Sequence, residues 1–408
     1  MRGCCRCATS AQPHVAASCR VLTHVRRGHS YNVISKFEGN IGLLGGSLKQ
    51  LYLKVNQLTH LPASMSQLTA LETLSLSHNH LTELSLVGLV GLRNFESGHN
   101  ALKRFVLPLE DAMVIPNLQR IDLQANHLTE LPPGIGALPQ LTRLNLSFNQ
   151  LTELSDEIGQ LTELKELCLN DNRLLSVSDA LGRCTNLLSL RLQENALTGL
   201  ADAVCACASL QEIDLSSNQL AQLPPNFGSF TGLFTLLLNY NHLTSLPDSF
   251  GDLVRLAQLE LRHNHLAELP ASIGNMRDLT KLDLSCNRLT RLPDEIANLP
   301  NLLSLSACCN LLTELPTNFS NLTKLRTASL AWNGFRTFPH AVTSLGNLEA
   351  LHLGGNFIDS LPDSFASMSH LMELSLGGNC IVCISLSLSL TLTLTLTLTL
   401  TLTLTLSC

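Results

Sequence analysis

The stretch LTRLNLSFNQLTEL, residues 141–154, has leucine at five of its positions and Asn149 in the middle. The leucines are separated by three, two, five and three residues. These spacings fit neither the 3.6-residue period of a helix nor the two-residue period of a strand for long. The same pattern returns 23 residues later in LKELCLNDNRLLSV, residues 164–177, around Asn172. The stretch is therefore one unit of an internal repeat.

Aligning the chain on asparagine extends the repeat through most of the sequence. The consensus is LxxLxLxxNxLxxLPxxIGxLxx, and LTKLDLSCNRLTRLPDEIANLPN, residues 279–301, shows it almost whole. Every interval is 23 residues from Asn126 onward, and the irregular intervals are 21 residues before Asn100 and 26 before Asn126. The fifteen aligned residues are Asn56, Asn79, Asn100, Asn126, Asn149, Asn172, Asn195, Asn218, Asn241, Asn264, Asn287, Asn310, Asn333, Asn356 and Asn379.

The consensus predicts one solenoid coil per repeat. LxLxx reads as a short strand with its leucines inward, and asparagine then turns the chain while its amide bonds the backbone of its own coil and the next. The segment PxxIGxL predicts a short helical turn on the convex side, with proline at its first position and Ile296 and Leu299 facing inward. An upstream half copy has matching offsets at Asn32, Ile34, Phe37, Ile41, Gly42 and Leu44.

One coil cannot bury its own apolar edge, so the coils are stable only when they stack. We therefore predict an α/β solenoid of about 15 repeats, shaped as a horseshoe or arc, with a parallel sheet on its concave side. The expected domains are a leader at 1–30, the solenoid at 31–384 and a low-complexity tail at 385–408. Departures from the consensus at Ser155, Ser178, Ala201, Ala307 and Ala328 predict local softening within the same fold.

These motifs resemble the leucine-rich repeat family over about residues 31–384. The 23-residue period with LPxxIGxL is similar to the intracellular Ras-group class, which includes Ras-suppressor proteins. The resemblance implies a protein partner on the concave face, either a Ras-like GTPase or a phosphatase or kinase component. The leader lacks the short basic-x-Val-x-Phe motif that docks a phosphatase.

Composition narrows the class of partner further. The first 30 residues hold five arginines and no acid, so the remainder has 21 basic and 32 acidic residues, a formal charge of −11. An acidic body argues against nucleic acid as a partner. Since no run of about 18 apolar residues occurs, no transmembrane helix is expected. Scattered cysteines without a paired framework indicate a reducing compartment, and we expect a cytoplasmic protein.

The two ends of the chain leave alternatives open. The leader reads as an unstructured tail or mis-assigned start, or as an organelle transit peptide, because it is rich in arginine and lacks acid. Strict Thr-Leu alternation fills residues 391–406. We interpret it as translated microsatellite DNA, in which case the natural protein continues with further sequence. The alternative is a strand that extends the sheet edge or assembles like amyloid.

The cysteines suggest three different roles. Cys184 and Cys207 replace core leucines and are expected to be small buried hydrophobes. Cys4, Cys5 and Cys7 belong to the arginine-containing leader, where acylation and metal binding are the alternatives to a disordered segment. Cys286 and Cys309 share one position in adjacent coils, with Cys308 beside them, and form the best candidate thiol pair. Unlinked thiols are the alternative for that pair.

No catalytic signature is present, so we expect neither an enzyme nor a cofactor. The sequence has no glycine-rich phosphate loop, kinase motifs, HExxH or GxSxG. His78 and His99 share one position in adjacent coils, but two histidines without a third ligand are weak evidence for a metal site.

The variable strand positions therefore have to carry the function. Aromatic side chains with charged neighbours are typical of protein-binding hot spots. Glu212 and Asp214 make the central coils acidic, and Trp332 is the only tryptophan. The predicted partner-binding residues of the concave face are Phe148, Arg191, Glu212, Asp214, Tyr240, Glu260, Arg262, His263, Asp283 and Trp332.

Two hypotheses of different kinds follow. In the first, the chain is an intracellular adaptor that presents its concave face to another protein, with small-GTPase signalling as the implied setting. In the second, the chain is a recognition fragment of a larger receptor or of a multidomain kinase or GTPase, whose output domain is missing. A secreted receptor ranks third, because a signal peptide and paired flanking cysteines are not evident.

Overall fold

The computed structural model describes residues 33–37, 39–108 and 115–382. The chain divides into two compact units between Arg173 and Leu174. The predicted leader and tail lie outside the described residues, as do Asn32 of the upstream half copy and the leader cysteines.

The first unit is built on short parallel strands, each three residues long. Within its described part, six of them form one sheet in the order β1-β2-β4-β6-β7-β8, and β3 pairs with β5 separately. The extra pair lies within the two irregular intervals, β3 between Asn79 and Asn100 and β5 between Asn100 and Asn126, and was not predicted. The strands are β1 (Gln50–Tyr52), β2 (Thr73–Ser75), β3 (Glu83–Ser85), β4 (Asn94–Glu96), β5 (Arg104–Val106), β6 (Arg120–Asp122), β7 (Arg143–Asn145) and β8 (Glu166–Cys168).

The second unit has nine parallel strands in sequence order among its described residues. Each residue pairs with the one 23 positions later, as Glu212 does with Thr235. The repeat period is therefore the register of the sheet. The strands are β9 (Ser189–Arg191), β10 (Glu212–Asp214), β11 (Thr235–Leu237), β12 (Gln258–Glu260), β13 (Lys281–Asp283), β14 (Ser304–Ser306), β15 (Thr327–Ser329), β16 (Ala350–His352) and β17 (Glu373–Ser375).

Leucine fills the interior of both units, as the spacing predicts. Leu144 and Leu146 are at most 1% exposed, and Ile296 and Leu299 are equally buried on the opposite side of their coil. Each such side chain contributes about 1.5–3 kcal/mol before entropy is subtracted. Cys184 and Cys207 are fully buried among them, which confirms their role as small hydrophobes. The solenoid class is thus confirmed.

The asparagine side chains form the predicted series of hydrogen bonds between coils, which we call the ladder. They bond to the preceding coil, not to the next one. Asn149 accepts a hydrogen bond from Leu128 N–H at 3.0 Å and donates to Leu123 O and Leu146 O, both at 3.0 Å. Leu123 and Leu128 belong to the preceding coil, whereas the repeat pattern predicted amide bonds to the next coil. The amide therefore connects each turn to the preceding coil by hydrogen bonds.

The helical turns are 3₁₀ segments of three to five residues throughout the described chain. Proline stands one residue earlier than predicted: Pro293 is the N-cap of its turn, where its carbonyl accepts the N–H of Ile296 at 3.1 Å. The turns are Ile41–Leu44, Ala63–Gln67, Ile135–Ala137, Asp156–Gln160, Asp179–Arg183, Asp202–Ala206, Phe227–Ser229, Asp248–Asp252, Ala271–Asn275, Asp294–Asn298, Phe319–Asn321, His340–Ser344 and Asp363–Ser367.

Serine replaces proline in two turns without loss of a cap. The hydroxyl of Ser155 accepts from Glu157 N–H, and that of Ser178 accepts from Ala180 N–H. Serine is among the preferred N-cap residues. The softening predicted at Ser155 and Ser178 therefore has a compensating hydrogen bond, whereas Ala201 makes no side-chain cap.

Substituting a ladder asparagine should destabilise the fold much more than substituting an exposed one. Asn264 is 3% exposed, accepts a hydrogen bond from Leu243 N–H and donates to Leu238 O and Leu261 O. Asn264→Ala leaves these buried groups unpaired, and we expect the free energy of unfolding in urea to fall by about 2–4 kcal/mol. Asn301→Ala is the matched control, because Asn301 makes only exposed hydrogen bonds, to Arg277 O and from Lys324 Nζ. Equal losses in the two variants would contradict the structural role of the ladder.

Candidate functional site

The residue before each ladder asparagine adopts a left-handed backbone. We call this set of positions the αL column, and sequence reasoning did not predict its conformation. The column holds glycine at Gly355 and Gly378, with φ of 68° and 73°. Its thirteen other members have φ between 52° and 58°: Val55, His78, His99, Ala125, Phe148, Asp171, Glu194, Ser217, Tyr240, His263, Cys286, Cys309 and Trp332.

Hydrogen bonds on both sides hold several of these residues in this conformation, as at Tyr240. Tyr240 N–H donates to Arg262 O at 2.8 Å, and Tyr240 O accepts from Asn218 N–H at 3.2 Å. A left-handed backbone costs a non-glycine residue on the order of 1–2 kcal/mol. The neighbouring coils offset that cost, and the side chains of the αL column are held beside the outward strand positions. We call the surface made by these two sets of side chains the sheet face.

The predicted binding residues divide between the two units. Phe148 belongs to the first unit, where it lies in the αL column and is 53% exposed. The other nine belong to the second unit. Eight of the nine are on its sheet face, at an outward strand position or in the αL column, and Arg262 lies between β12 and His263.

The acidic residues of β10 each have a partner. Glu212 accepts from Arg191 at 3.3 Å and from Ser189 Oγ at 3.3 Å. Asp214 accepts the N–H of Ser216 at 3.0 Å, and Asp283 does the same for Ser285 at 2.9 Å. The two aspartates thus help to close their own turns as well as contributing charge to the surface.

Burial raises the pKa of Asp214, and the neighbouring Glu212 adds to the rise. Hydrogen bonds from Ser216 and the charge of Arg191 oppose it. The ionised carboxylate is therefore less stable in the folded protein than in the unfolded chain, because its hydration is only partly replaced.

Glu260 is the most connected side chain of the face. Lys281 Nζ, Asn239 Nδ2 and Gln258 Nε2 all donate to its carboxylate, at 2.6, 2.8 and 2.7 Å. Burial acts to raise the pKa of Glu260, but these hydrogen bonds hold it below its ordinary value. Asn239 Oδ1 also accepts the N–H of Arg262 at 2.9 Å, which joins β12 to the turn before it.

Two rings stack next to this network. Tyr240 and His263 are neighbours in the αL column, with ring centroids 4.5 Å apart and an interplanar angle of 17°. The predicted approach of His78 to His99 is also confirmed, with stacked rings 4.2 Å apart. Burial and the charges of His99 and Lys54 lower the pKa of His78. The second unit therefore has a preformed aromatic surface beside an anchored carboxylate.

Trp332 lies flat on the following coil. A Cβ placed on Gly355 would come within 2.7 Å of the indole, so the side chain occupies the space that a larger residue would need. The outer part of the indole remains open, and Trp332 is 68% exposed. The contact between Trp332 and Gly355 was not predicted from the sequence. A signal for it was present, because Gly355 occupies the repeat position of Trp332 one coil later and leaves room for the indole.

The described residues offer little for other kinds of site. Across residues 33–37, 39–108 and 115–382, no group of three or more His, Cys, Asp or Glu side chains is placed to hold a metal ion. Within those same ranges, no helix has both the length and the apolar character needed to cross a membrane.

Stacked coils with short 3₁₀ turns, a parallel sheet and an asparagine ladder define a leucine-rich solenoid. Models of the leucine-rich repeat match residues 46–102, 116–174 and 162–220, and a model of the leucine-rich repeat region matches residues 248–332. A solved leucine-rich repeat protein of Leptospira interrogans is 33% identical, with a TM-score of 0.78, over 91% of this chain and 94% of that one. The chain belongs to the leucine-rich repeat family.

More distant solved structures share the architecture. The plant peptide hormone receptor RGFR1, in complex with RGF2, is 25% identical with a TM-score of 0.65, over 83% of this chain and 64% of that one. YopM from Yersinia enterocolitica is 25% identical with a TM-score of 0.51, over 83% of this chain and 80% of that one. None of the curated proteins compared with this chain matches it.

Removing the charge of Asp214 should stabilise the protein at neutral pH. The folded-state pKa of Asp214 is raised, so the folded protein binds the proton more tightly than the unfolded chain, and ionisation opposes folding. In Asp214→Asn the amide oxygen can still accept Ser216 N–H, as Asn145 does for Ser147 at the matching position. We expect a higher free energy of unfolding than wild type at pH 7. The gain should disappear at pH values below 3.8, the ordinary pKa of an aspartate carboxyl.

Urea titrations at several pH values measure this difference. Asp283→Asn is a comparison variant, because Asp283 makes the matching bond to Ser285. A loss of stability in Asp214→Asn at pH 7 would show that the carboxylate charge supports the fold.

Proposed function

We propose that this chain is a non-enzymatic scaffold that binds a partner protein on the sheet face of its second unit. The observation that supports this most is the set of exposed aromatic side chains fixed in the αL column. Tyr240 stacks on His263, and Trp332 rests on Gly355. Because their backbones are held by neighbouring coils, little freedom remains to be lost on binding, which favours affinity.

Charge supports a partner with a mixed polar surface. Arg191 and Lys281 lie beside Glu212 and Glu260, so positive and negative groups alternate along the face. The Arg191–Glu212 pair is exposed, and such pairs contribute about 0–1 kcal/mol to the fold. These two groups can therefore exchange their intramolecular partner for groups of a bound protein at small cost, whereas Glu260 stays held by its three donors. In this proposal Asp214, Arg262 and Asp283 set orientation, whereas the aromatic side chains supply most of the affinity.

We further propose that the chain is an intracellular member of the 23-residue class similar to Ras-suppressor proteins, and that its partner is a Ras-like GTPase. The support is the unbroken 23-residue period from Asn126 and the LPxxIGxL segment. A phosphatase or kinase component is the other partner implied by that resemblance.

Binding can be measured with the single tryptophan of the chain as the reporter. We expect a Ras-like GTPase loaded with a GTP analogue to change the fluorescence of Trp332 saturably. Trp332→Ala, assayed by surface plasmon resonance, should weaken binding at least about tenfold, because truncating a hot-spot aromatic costs about 2 kcal/mol or more. Phe357→Ala is the matched control: Phe357 is 60% exposed but lies in neither a strand nor the αL column.

Each outcome of this experiment addresses one part of the proposal. Loss of affinity in Trp332→Ala but not in Phe357→Ala supports the sheet face. Equal affinity in wild type and Trp332→Ala would exclude this part of the face, and absence of saturable binding would exclude the GTPase as the partner.

The second candidate function is recognition within a larger receptor or enzyme. It is favoured by the similarity to the receptor RGFR1, of which this chain spans 64%. Sequencing the transcript across the codon for Cys380 tests it. A reading frame that continues into a kinase, a GTPase or a membrane span would support the larger protein, and a message that encodes the Thr-Leu tail and stops would support the scaffold.

A further inference from the structure

Three cysteines meet on the sheet face of the second unit. Cys286 and Cys309 occupy the αL column in consecutive coils, with φ of 56° and 54°, and Cys308 precedes Cys309. The Cys309 thiol lies close enough to Cys286 and Cys308 for both to influence its ionisation. Cys286 and Cys308 are partly exposed and Cys309 is exposed, so a small reagent in solution reaches the cluster.

The backbone holds Cys286 and Cys309 at a spacing that a disulfide can bridge. Cys286 N–H donates to Cys308 O at 2.8 Å, and the strands before them pair in register, Lys281 with Ser304. Neighbouring strands of a sheet lie about 4.8 Å apart. Disulfides join Cα atoms about 4.4–6.8 Å apart, so the two cysteines can be linked without unstacking their coils.

The surroundings distinguish Cys286 from Cys309. The guanidinium of Arg262, from the preceding coil, lies close enough to Cys286 to interact with it electrostatically. A neighbouring arginine is a feature of reactive cysteines. Burial, with Cys286 and Cys308 adding to it, raises the pKa of Cys309 to about 11. Cys309 therefore keeps its proton when Cys286 reacts, which makes Cys286 the first sulfur to be oxidised.

The chain contains an internal comparison for this cluster. Cys184 and Cys207 also occupy matching positions in consecutive coils, but both are fully buried. Burial raises their pKa values to about 11 and about 12. A pair with the same coil spacing but without access to solvent should stay reduced.

We propose that Cys286 and Cys309 form a reversible disulfide site that responds to hydroperoxides. In the first step the Cys286 thiolate attacks the peroxide, an S–O bond forms, the O–O bond breaks, and the alkoxide leaves and takes a proton from water. In the second step the Cys309 sulfur attacks Cys286, the S–O bond breaks, and the hydroxyl leaves with the Cys309 proton as water. Two sulfurs are oxidised, and the peroxide is reduced to an alcohol and water.

Peptide mapping of the full chain tests the site. The reduced protein is treated with hydrogen peroxide, remaining thiols are alkylated, and the product is digested with trypsin. Cleavage after Lys281, Arg288, Arg291 and Lys324 places Cys286 in residues 282–288 and both Cys308 and Cys309 in residues 292–324. We expect these two peptides to be joined, with the loss of two hydrogen atoms, and to separate on treatment with dithiothreitol.

The variants assign the bond to particular sulfurs. Cys308→Ser should still form the cross-link, whereas Cys309→Ser should lose it and accumulate the sulfenic acid of Cys286, which dimedone traps. A bond confined to residues 292–324 would join Cys308 to Cys309 and overturn the proposal. Equal oxidation of the buried pair Cys184 and Cys207 would also overturn it, because the local surroundings would then not select the site.

Arg262 supplies a further test of the order of reaction. Arg262→Gln keeps a polar side chain but removes the cation beside Cys286, and we expect the trapping of Cys286 by dimedone to slow several-fold. Arg262→Lys should restore part of the rate. Alkylation of exposed Cys380 should be unchanged in both variants, which separates a local effect from unfolding. An unchanged rate in Arg262→Gln would remove Arg262 from the site.

Discussion

The amide of the ladder asparagine is the interaction on which the rest of this protein depends. It ends a three-residue strand, turns the chain, and bonds one N–H and one C=O of the preceding coil, as Asn149 does with Leu128 and Leu123. Leucine burial is not directional, whereas these bonds hold only in one register. The 23-residue register of the second unit follows, and with it the alignment of surface side chains from coil to coil.

The same turn explains why the surface is suited to binding. Because the asparagine fixes the chain, the residue before it is left-handed, whatever its type. Such backbone strain persists where neighbouring contacts hold the residue in place, and it is common at functional sites. Here it produces an αL column that contains a ring stack at Tyr240 and His263, an indole resting on Gly355, and two cysteines in consecutive coils. Binding and redox chemistry would both use side chains positioned by one backbone device.

Irregularities in the repeat show how far the register tolerates change. In the 21-residue interval Thr73 pairs with Asn94, and in the 26-residue interval Asn94 pairs with Arg120, so the strands stay aligned. Insertions and deletions fall in the connecting segments, which tolerate them at small entropic cost. In the same way Ser155 caps a turn in place of proline by a different hydrogen bond. The strand and the asparagine stay fixed while the other side of the coil varies.

Residue spacing alone was enough to predict the repeat, the parallel strands, the inward leucines and the outward positions, because these depend on spacing within one coil and a period shared by all of them. It also brought His78 near His99 and Cys286 near Cys309, since equal repeat positions become neighbours. The folded chain was needed to show that the amides bond to the preceding coil, that Trp332 lies on Gly355, and that Glu260 accepts from three donors. Those features depend on side-chain direction and on contacts between coils, which the spacing of residues along the chain does not specify.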